Sequence, residues 1–170
     1  MADLLAGVLV TPTLQEVAAA EGYVARNWRG LGGGFVPFGD HDPRRTAVNG
    51  YLAEMVVARI LGVPWTGRDG PDGGIDLVWL GLGVQVKWNS YSYGDLYSRP
   101  DLPITADLLV LVVPCWPDSR MRIVGYLTRD EYLRLRQSRS YGRGNTVLAV
   151  AQQWLHPIGR LFGGEGARDG

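Results

Sequence analysis

The sequence predicts an α/β fold, a mixed central sheet of about four or five strands flanked by helices in a single domain over 1–170. Three observations predict it. Two segments carry helical apolar periodicity with matched start signals. Two short apolar stretches separated by Gly81-Leu82 read as a hairpin. One continuous apolar run, Leu108–Val113, reads as a central strand.

The elements follow in order. Thr13 with Glu16 forms a capping box, and Leu14, Val17, Ala18, Tyr23, Val24 and Trp28 supply an apolar face. Residues 1–34 are thus expected to be an N-terminal helical arm ending in a Gly-rich hinge, Gly30-Leu31-Gly32-Gly33-Gly34. That run lacks the Gly-Lys-Ser/Thr ending of a phosphate-binding loop, and no strand is expected before it. The second helix covers about Pro43 to Leu61: Asp42 caps it, Pro43 takes its first position and Gly62 ends it. Beyond the turn-rich 67–74, strands are expected over Ile75–Leu80 and Gly83–Trp88, joined by a type II′ turn at Gly81-Leu82. Arg122–Leu127 reads as a neighbour of the central strand. Thr128 and Glu131 form a second capping box opening a helix to about Gln137. Thr146–Val150 reads as a late strand, His156-Pro157-Ile158 as the start of a short helical turn, and 163–170 as a disordered tail.

Composition excludes several function classes. No apolar stretch reaches the roughly 18 residues of a membrane span, and Asp3 stands where a signal peptide carries basic residues. A lone Cys115 forms no internal disulfide, which fits a reducing, cytoplasmic setting. One Cys and two His leave no structural zinc site, and no Gly-x-Ser-x-Gly elbow is present. Seventeen basic and seventeen acidic residues cancel, so net charge gives no support for a nucleic-acid partner. Locally, Arg120, Arg122, Arg129, Arg134, Arg136, Arg139 and Arg143 face only Asp130 and Glu131. That stretch reads either as a track for a phosphate backbone or as a solvated helix face and loop. Sixteen of the seventeen basic residues are Arg; the one Lys is Lys87. Lysine is a compact charge that can lose its proton when buried, and arginine effectively cannot.

Alternation in the expected hairpin sets Gln85 and Lys87 on one face and Val84, Val86 and Trp88 on the other. With Gly81-Leu82 as the loop, Asp76 faces Lys87 and Val78 faces Gln85, so Asp76, Gln85 and Lys87 form one polar cluster. On the second helix, Glu54 shares a stripe with Ala47, Gly50, Tyr51, Ala58 and Leu61. A carboxylate among apolar residues needs a cation or donor, and a divalent ion shared with Asp76 would serve. Gly50, one turn earlier, leaves room for a strand or ligand.

Asp72-Gly73-Gly74-Ile75-Asp76, then Val84-Gln85-Val86-Lys87, with Glu54 on the preceding helix, resembles the PD-(D/E)xK nuclease superfamily with its restriction-endonuclease-like core. The Gln-x-Lys form looks most like the Mrr-type branch, and the later stretch to Leu155-His156-Pro157 looks like small phage members. The resemblance implies Mg²⁺-dependent hydrolysis of DNA, with Mn²⁺ able to substitute, and no small-molecule cofactor. Glu54, Asp76, the Gln85 amide oxygen and the Val86 carbonyl would ligate the metal; Lys87 would lie by the attacking water and the phosphate. A homodimer would supply two active sites for two strands. Two departures stand out. Gln85 replaces a carboxylate and removes a negative charge, which leaves an inactive DNA-binding scaffold as the alternative. The family's proline best matches Pro71, so Asp72 is a second candidate ligand; Asp76 is preferred because it is expected within a strand beside Lys87.

Simpler readings compete. Asp76 and Lys87 could be a plain cross-strand ion pair, and Glu54 a solvated helix residue. Asp40-His41-Asp42 is better read as a loop and cap than as a metal site. Tyr91 and Tyr93, just past Lys87, could stack on splayed bases, contact a backbone or cap the core.

Overall fold

The computed structural model describes residues 7–28, 42–67, 74–140 and 146–163. It is a mixed α/β structure with eight strands: β1 (Val8–Val10), β2 (Leu77–Trp79), β3 (Leu82–Trp88), β4 (Leu96–Ser98), β5 (Leu108–Pro114), β6 (Met121–Thr128), β7 (Gln137–Ser140) and β8 (Thr146–Val150). Three α-helices, α1 (Leu14–Asn27), α2 (Pro43–Leu61) and α3 (Arg129–Leu135), accompany them, with short 3₁₀ turns at Gln152–Trp154 and Ile158–Leu161. The main sheet has the order β1-β6-β5-β3-β2; a second sheet runs β4-β8-β7. Among the described residues, only β3 and β5 pair in parallel.

β5 explains the layering. All seven of its residues are buried. Its alternate side chains serve two cores: Leu108, Val110 and Val112 join α2 on one face, while Leu109, Leu111 and Val113 join Leu96, Tyr132 and Val150 on the other. β6 pairs antiparallel with β5, and a bulge between Leu111 and Val112 switches which of its residues face each core. Thus Met121 and Ile123 belong to the first core and Leu127 to the second. The Tyr132 hydroxyl, deep in the second core, lies 2.7 Å from the Leu148 carbonyl and 2.8 Å from Ser98 Oγ, so the polar group is satisfied where it is buried.

The helix starts, and the end of α2, are as the sequence specifies. Thr13 and Thr128 both form reciprocal capping boxes, with Glu16 and Glu131. Asp42 Oδ1 accepts from the Arg44 and Arg45 amides. Gly62 closes α2 with φ 70, the left-handed conformation that glycine adopts without a Cβ penalty.

Several expectations need correcting. A strand precedes the Gly-rich run, where none was expected: β1 pairs with β6, and α1 is tied to α2 by Arg59, whose guanidinium bonds Glu16 at 2.8 Å and the Thr11 carbonyl at 3.0 Å. On α1 the buried residues are Ala20, Tyr23 and Val24, while Leu14 lies exposed. The hairpin loop is Leu80-Gly81, not Gly81-Leu82. Trp79 pairs with Leu82, and both loop residues have positive φ (50 and 81), as a type I′ turn requires. β2 begins at Leu77, leaving Asp76 just outside the strand. α3 ends at Leu135, two residues short of Gln137, which opens β7. The hinge at 30–34, His41, Pro71, Asp72, Arg143 and the tail after Gly163 lie outside the described residues.

Candidate active site

The site lies where β2 stops and β3 continues. The Asp76 amide donates to the Val84 carbonyl at 2.8 Å, and Asp76 Oδ2 accepts from the Val86 amide at 2.6 Å. The carboxylate therefore occupies the place on the β3 edge where the next ladder partner would sit. Amide and carbonyl of one strand residue point to the same edge, so the Val86 carbonyl also faces the edge beyond the end of β2. The loop, of the same two-residue length but one residue earlier, moves each cross-strand partner by two from expectation: continued outward, the register sets Asp76 toward Gln85, with Lys87 the diagonal neighbour.

Glu54 reaches this edge from α2, whose apolar face packs against β3 through Leu52, Met55, Val56 and Val84. Its Oε2 accepts from the Trp65 indole N–H at 2.8 Å. Trp65 is fixed in turn by edge-on contacts with Tyr23 (5.3 Å, 76°) and Tyr51 (6.1 Å, 74°). Gly67, at φ 57, lies under this ring: a Cβ there would come within 3.0 Å of both Trp65 and Tyr23. Gly50 is different. A Cβ there would meet nothing within 4 Å, so no described strand fills the space one turn before Glu54.

Electrostatics tie three of the four predicted residues together. Burial, then the negative charge of Asp76, pushes the Glu54 carboxyl up to about 8, against the smaller opposing effects of the Trp65 bond and Lys87. Burial holds Lys87 below the usual lysine range, while Asp76 and Glu54 pull the other way. Each of these groups feels the other two, as a shared centre requires. Gln85 is placed less directly. It lies on the Lys87 face of β3, but its amide packs over Gly74, where a Cβ would lie 2.5 Å from Nε2. Among the described residues no three acidic, His or Cys side chains converge.

No family model, curated protein or solved structure matches the chain.

The arginine stretch is largely committed to internal contacts. Arg120 pairs with Asp118 at 2.6 Å and Arg139 with Asp95 at 2.7 Å. Arg122 donates to the Ser92 carbonyl at 2.7 Å, and Arg129 approaches Asp107 at 3.9 Å. Arg134 is exposed in the last turn of α3, and Arg136 follows it, half-buried, near Tyr132. Tyr91 and Tyr93 do not cap the core: both rings are exposed, with centroids 5.5 Å apart.

The residue that sequence reasoning missed is Trp65. It follows the Gly62 cap in an irregular stretch, where no periodicity marks a direction. A cluster of Tyr23, Tyr51 and Trp65 around a buried acid is visible only once α1 and α2 are packed. His156 also gains a partner. Its Nε2 lies 2.8 Å from Glu131 Oε1, clasping the Ile158–Leu161 turn to the start of α3.

Proposed function

We propose that the chain is a Mg²⁺-dependent deoxyribonuclease of the PD-(D/E)xK type. The observation that carries this reading is the Glu54 carboxyl, pushed up to about 8 while set beside Asp76 and Lys87. Two acids forced together in a half-buried place, with one amine for company, form a site short of positive charge. A hard divalent cation with oxygen ligands fits that shortage, and magnesium tolerates a sparse protein shell because it keeps several waters. Glu54, Asp76 and the Val86 carbonyl are the residues that would hold it, with Gln85 able to contribute through its amide oxygen after turning from Gly74. Bound there, the ion would supply Lewis-acid polarisation of the phosphate and a more acidic water.

The chain's own groups do the rest. Asp76 is held rigid by its bond to the Val86 amide. Trp65 fixes one oxygen of Glu54 and leaves the other free to turn toward the centre. Lys87, with its proton affinity lowered by burial, can stabilise charge developing on the phosphate or exchange a proton at Nζ.

The test is cleavage of duplex, single-stranded and branched DNA with Mg²⁺ or Mn²⁺. Activity is expected to vanish with chelator and in Lys87→Ala. Activity that survives both changes overturns the mechanism. The position of Gln85 favours a second reading, a DNA-binding scaffold that no longer cuts. Salt-dependent binding without cleavage on any of those substrates would select it. Two-strand cutting would call for a dimer, which sedimentation in the presence of DNA would reveal. Among the described residues, no helix is long and apolar enough to cross a membrane.

A further inference from the structure

The loop over 89–95 leaves the end of β3 two residues past Lys87, and it is held with unusual thoroughness. Asn89 Oδ1 accepts from the Tyr91 amide at 3.1 Å, and its Nδ2 donates to the Asp95 carbonyl at 3.0 Å. The Gly94 amide donates to the Tyr91 carbonyl at 2.9 Å. Gly94 sits so close to the Asn89 amide that a Cβ would lie 2.1 Å from Cγ, so a side chain at 94 would displace Asn89. From outside the loop, Gln152 Nε2 donates to the Gly94 carbonyl at 2.7 Å and the Ser92 carbonyl at 3.1 Å. Arg122 Nη2 donates to that same Ser92 carbonyl at 2.7 Å and to Gln152 Oε1 at 3.1 Å. Three side chains, Asn89 of the loop itself, Arg122 of β6 and Gln152 of the turn after β8, thus fix the path of seven residues.

The thing held in place is a pair of rings in solvent. Tyr91 is 38% exposed and Tyr93 77%, and their planes are inclined by 31°. At 5.5 Å the two rings already touch, so nothing inserts between them; the open surface is the outer face of Tyr93, with Tyr91 behind it. Exposed tyrosines on a slack loop need no explanation. A ring pair set on a cross-braced loop has already lost the freedom that binding would otherwise remove. Lys87 and Tyr93 are six residues apart, so at most about 20 Å of chain separates them, a span of a few nucleotides.

We propose that Tyr93, backed by Tyr91, is a stacking platform for an unpaired base, which makes a strand with single-stranded character the preferred substrate of the neighbouring site. This rests on the nuclease reading for the identity of the strand. Bases paired within a duplex keep their faces stacked on one another, and only an unpaired or splayed base offers a face to a tyrosine. The platform sets substrate form and not base sequence, because every base has a π-face.

The experiment measures binding, by anisotropy of a short labelled DNA strand in EDTA, where no cleavage intervenes. Strands carrying bases are compared with strands of the same length carrying abasic sites. Wild type is expected to prefer the base-bearing strand by roughly 5- to 100-fold. Tyr93→Ala should lose that preference, Tyr93→Phe should keep it, and Tyr91→Ala should show a partial loss. Circular dichroism spectra should coincide for all variants, since the rings are outside the core. Equal affinity of wild type for the two strands, no binding of either, or an unchanged preference in Tyr93→Ala would each overturn the platform. Cleavage assays with Mg²⁺ run beside this separate the two claims. A base preference without cleavage of any DNA removes the nuclease reading and leaves the platform. Cleavage without a base preference does the reverse.

Discussion

Glu54 and Glu131 are both helix glutamates with an aromatic heterocycle as a bonded neighbour, and their environments drive them in opposite directions. Glu131 is held down to about 2, first by its bond to His156 and then by the Thr128 amide. Glu54 has one neutral donor, Trp65, and is pushed up to about 8 by burial and by Asp76. Glu131 lies at the first turn of α3, where free amides and the helix dipole favour an anion. Glu54 is in the middle of α2, where the backbone offers it nothing. A fold places a carboxylate at a helix start to complete a structure. One in the helix body, facing a second acid, is left incomplete, and on the proposed reading a cation would complete it.

The comparison can be broken in several places, the largest effect first. Lys87→Ala removes the amine from the pair of acids; cleavage is expected to fall by roughly 100- to 1000-fold while DNA binding persists, as steady-state rates against anisotropy would show. Loss of both together would mean that Lys87 supports the fold instead.

Next comes the opposite pH dependence of the two glutamates. Because Glu54 binds its proton more tightly folded than unfolded, its contribution to metal-free stability is fully present below about 4.5 and is lost as pH rises to about 8. For Glu131 the contribution is present above about 4.5 and is lost as pH falls toward 2. Urea titrations across pH should therefore show Glu54→Gln stabilising the metal-free protein at pH 8, and Glu131→Gln destabilising it at neutral pH by about 1–3 kcal/mol. Saturating Mg²⁺ should cancel the first difference. A Glu54→Gln variant less stable than wild type at pH 8 without metal would refute the raised proton affinity.

Trp65→Phe takes away the indole donor of Glu54. The carboxyl is expected to rise further above 8, and Mg²⁺ affinity by calorimetry to drop roughly 10-fold, with the core packing retained. An unchanged affinity would show that the indole merely fills space.

The smallest effects concern backbone near the site but away from either carboxylate. Leu80 holds φ 50 at an exposed hairpin tip, so Leu80→Asn should stabilise by about 1 kcal/mol. Gly50 has open space where a Cβ would go, so Gly50→Ala should stabilise by about 0.5–1 kcal/mol. If Gly50→Ala instead impairs cleavage while raising the melting temperature, the space before Glu54 belongs to the substrate.

Legibility in the sequence followed the range of the forces involved. Both capping boxes and the Asp42–Gly62 limits of α2 depend on residues within a turn, and they read off the chain directly. The unbroken apolar run of β5 was equally plain, since only a strand covered on both sides tolerates it. The short edge elements were not. β7 is Gln-Ser-Arg-Ser, exposed at every position, and β1 and β4 have three residues each; nothing local distinguishes such strands from loop. The hairpin turn lies one residue earlier than expected, and the pairing differs by two, because a Leu in the left-handed region is a poor turn residue, adopted where the flanking strands demand it. Even so, Asp76 and Lys87 kept their common neighbourhood with Glu54, because a two-residue shift of the pairing keeps the face and exchanges a facing partner for a diagonal one.

The parallel pairing of β3 beside β5 governs how the molecule assembles. Antiparallel neighbours can close from a tight turn, but a parallel pair must wait for a crossover. Here the crossover runs through 89–107 and lends β4 to the other sheet, where it meets β8, some fifty residues later in the chain. The β3–β5 and β4–β8 pairings are therefore not local, and they should slow refolding for a protein of this size. Weakening the distant sheet, for instance at the Tyr132–Ser98 contact, should lengthen the time before the acids and the lysine are brought together at all.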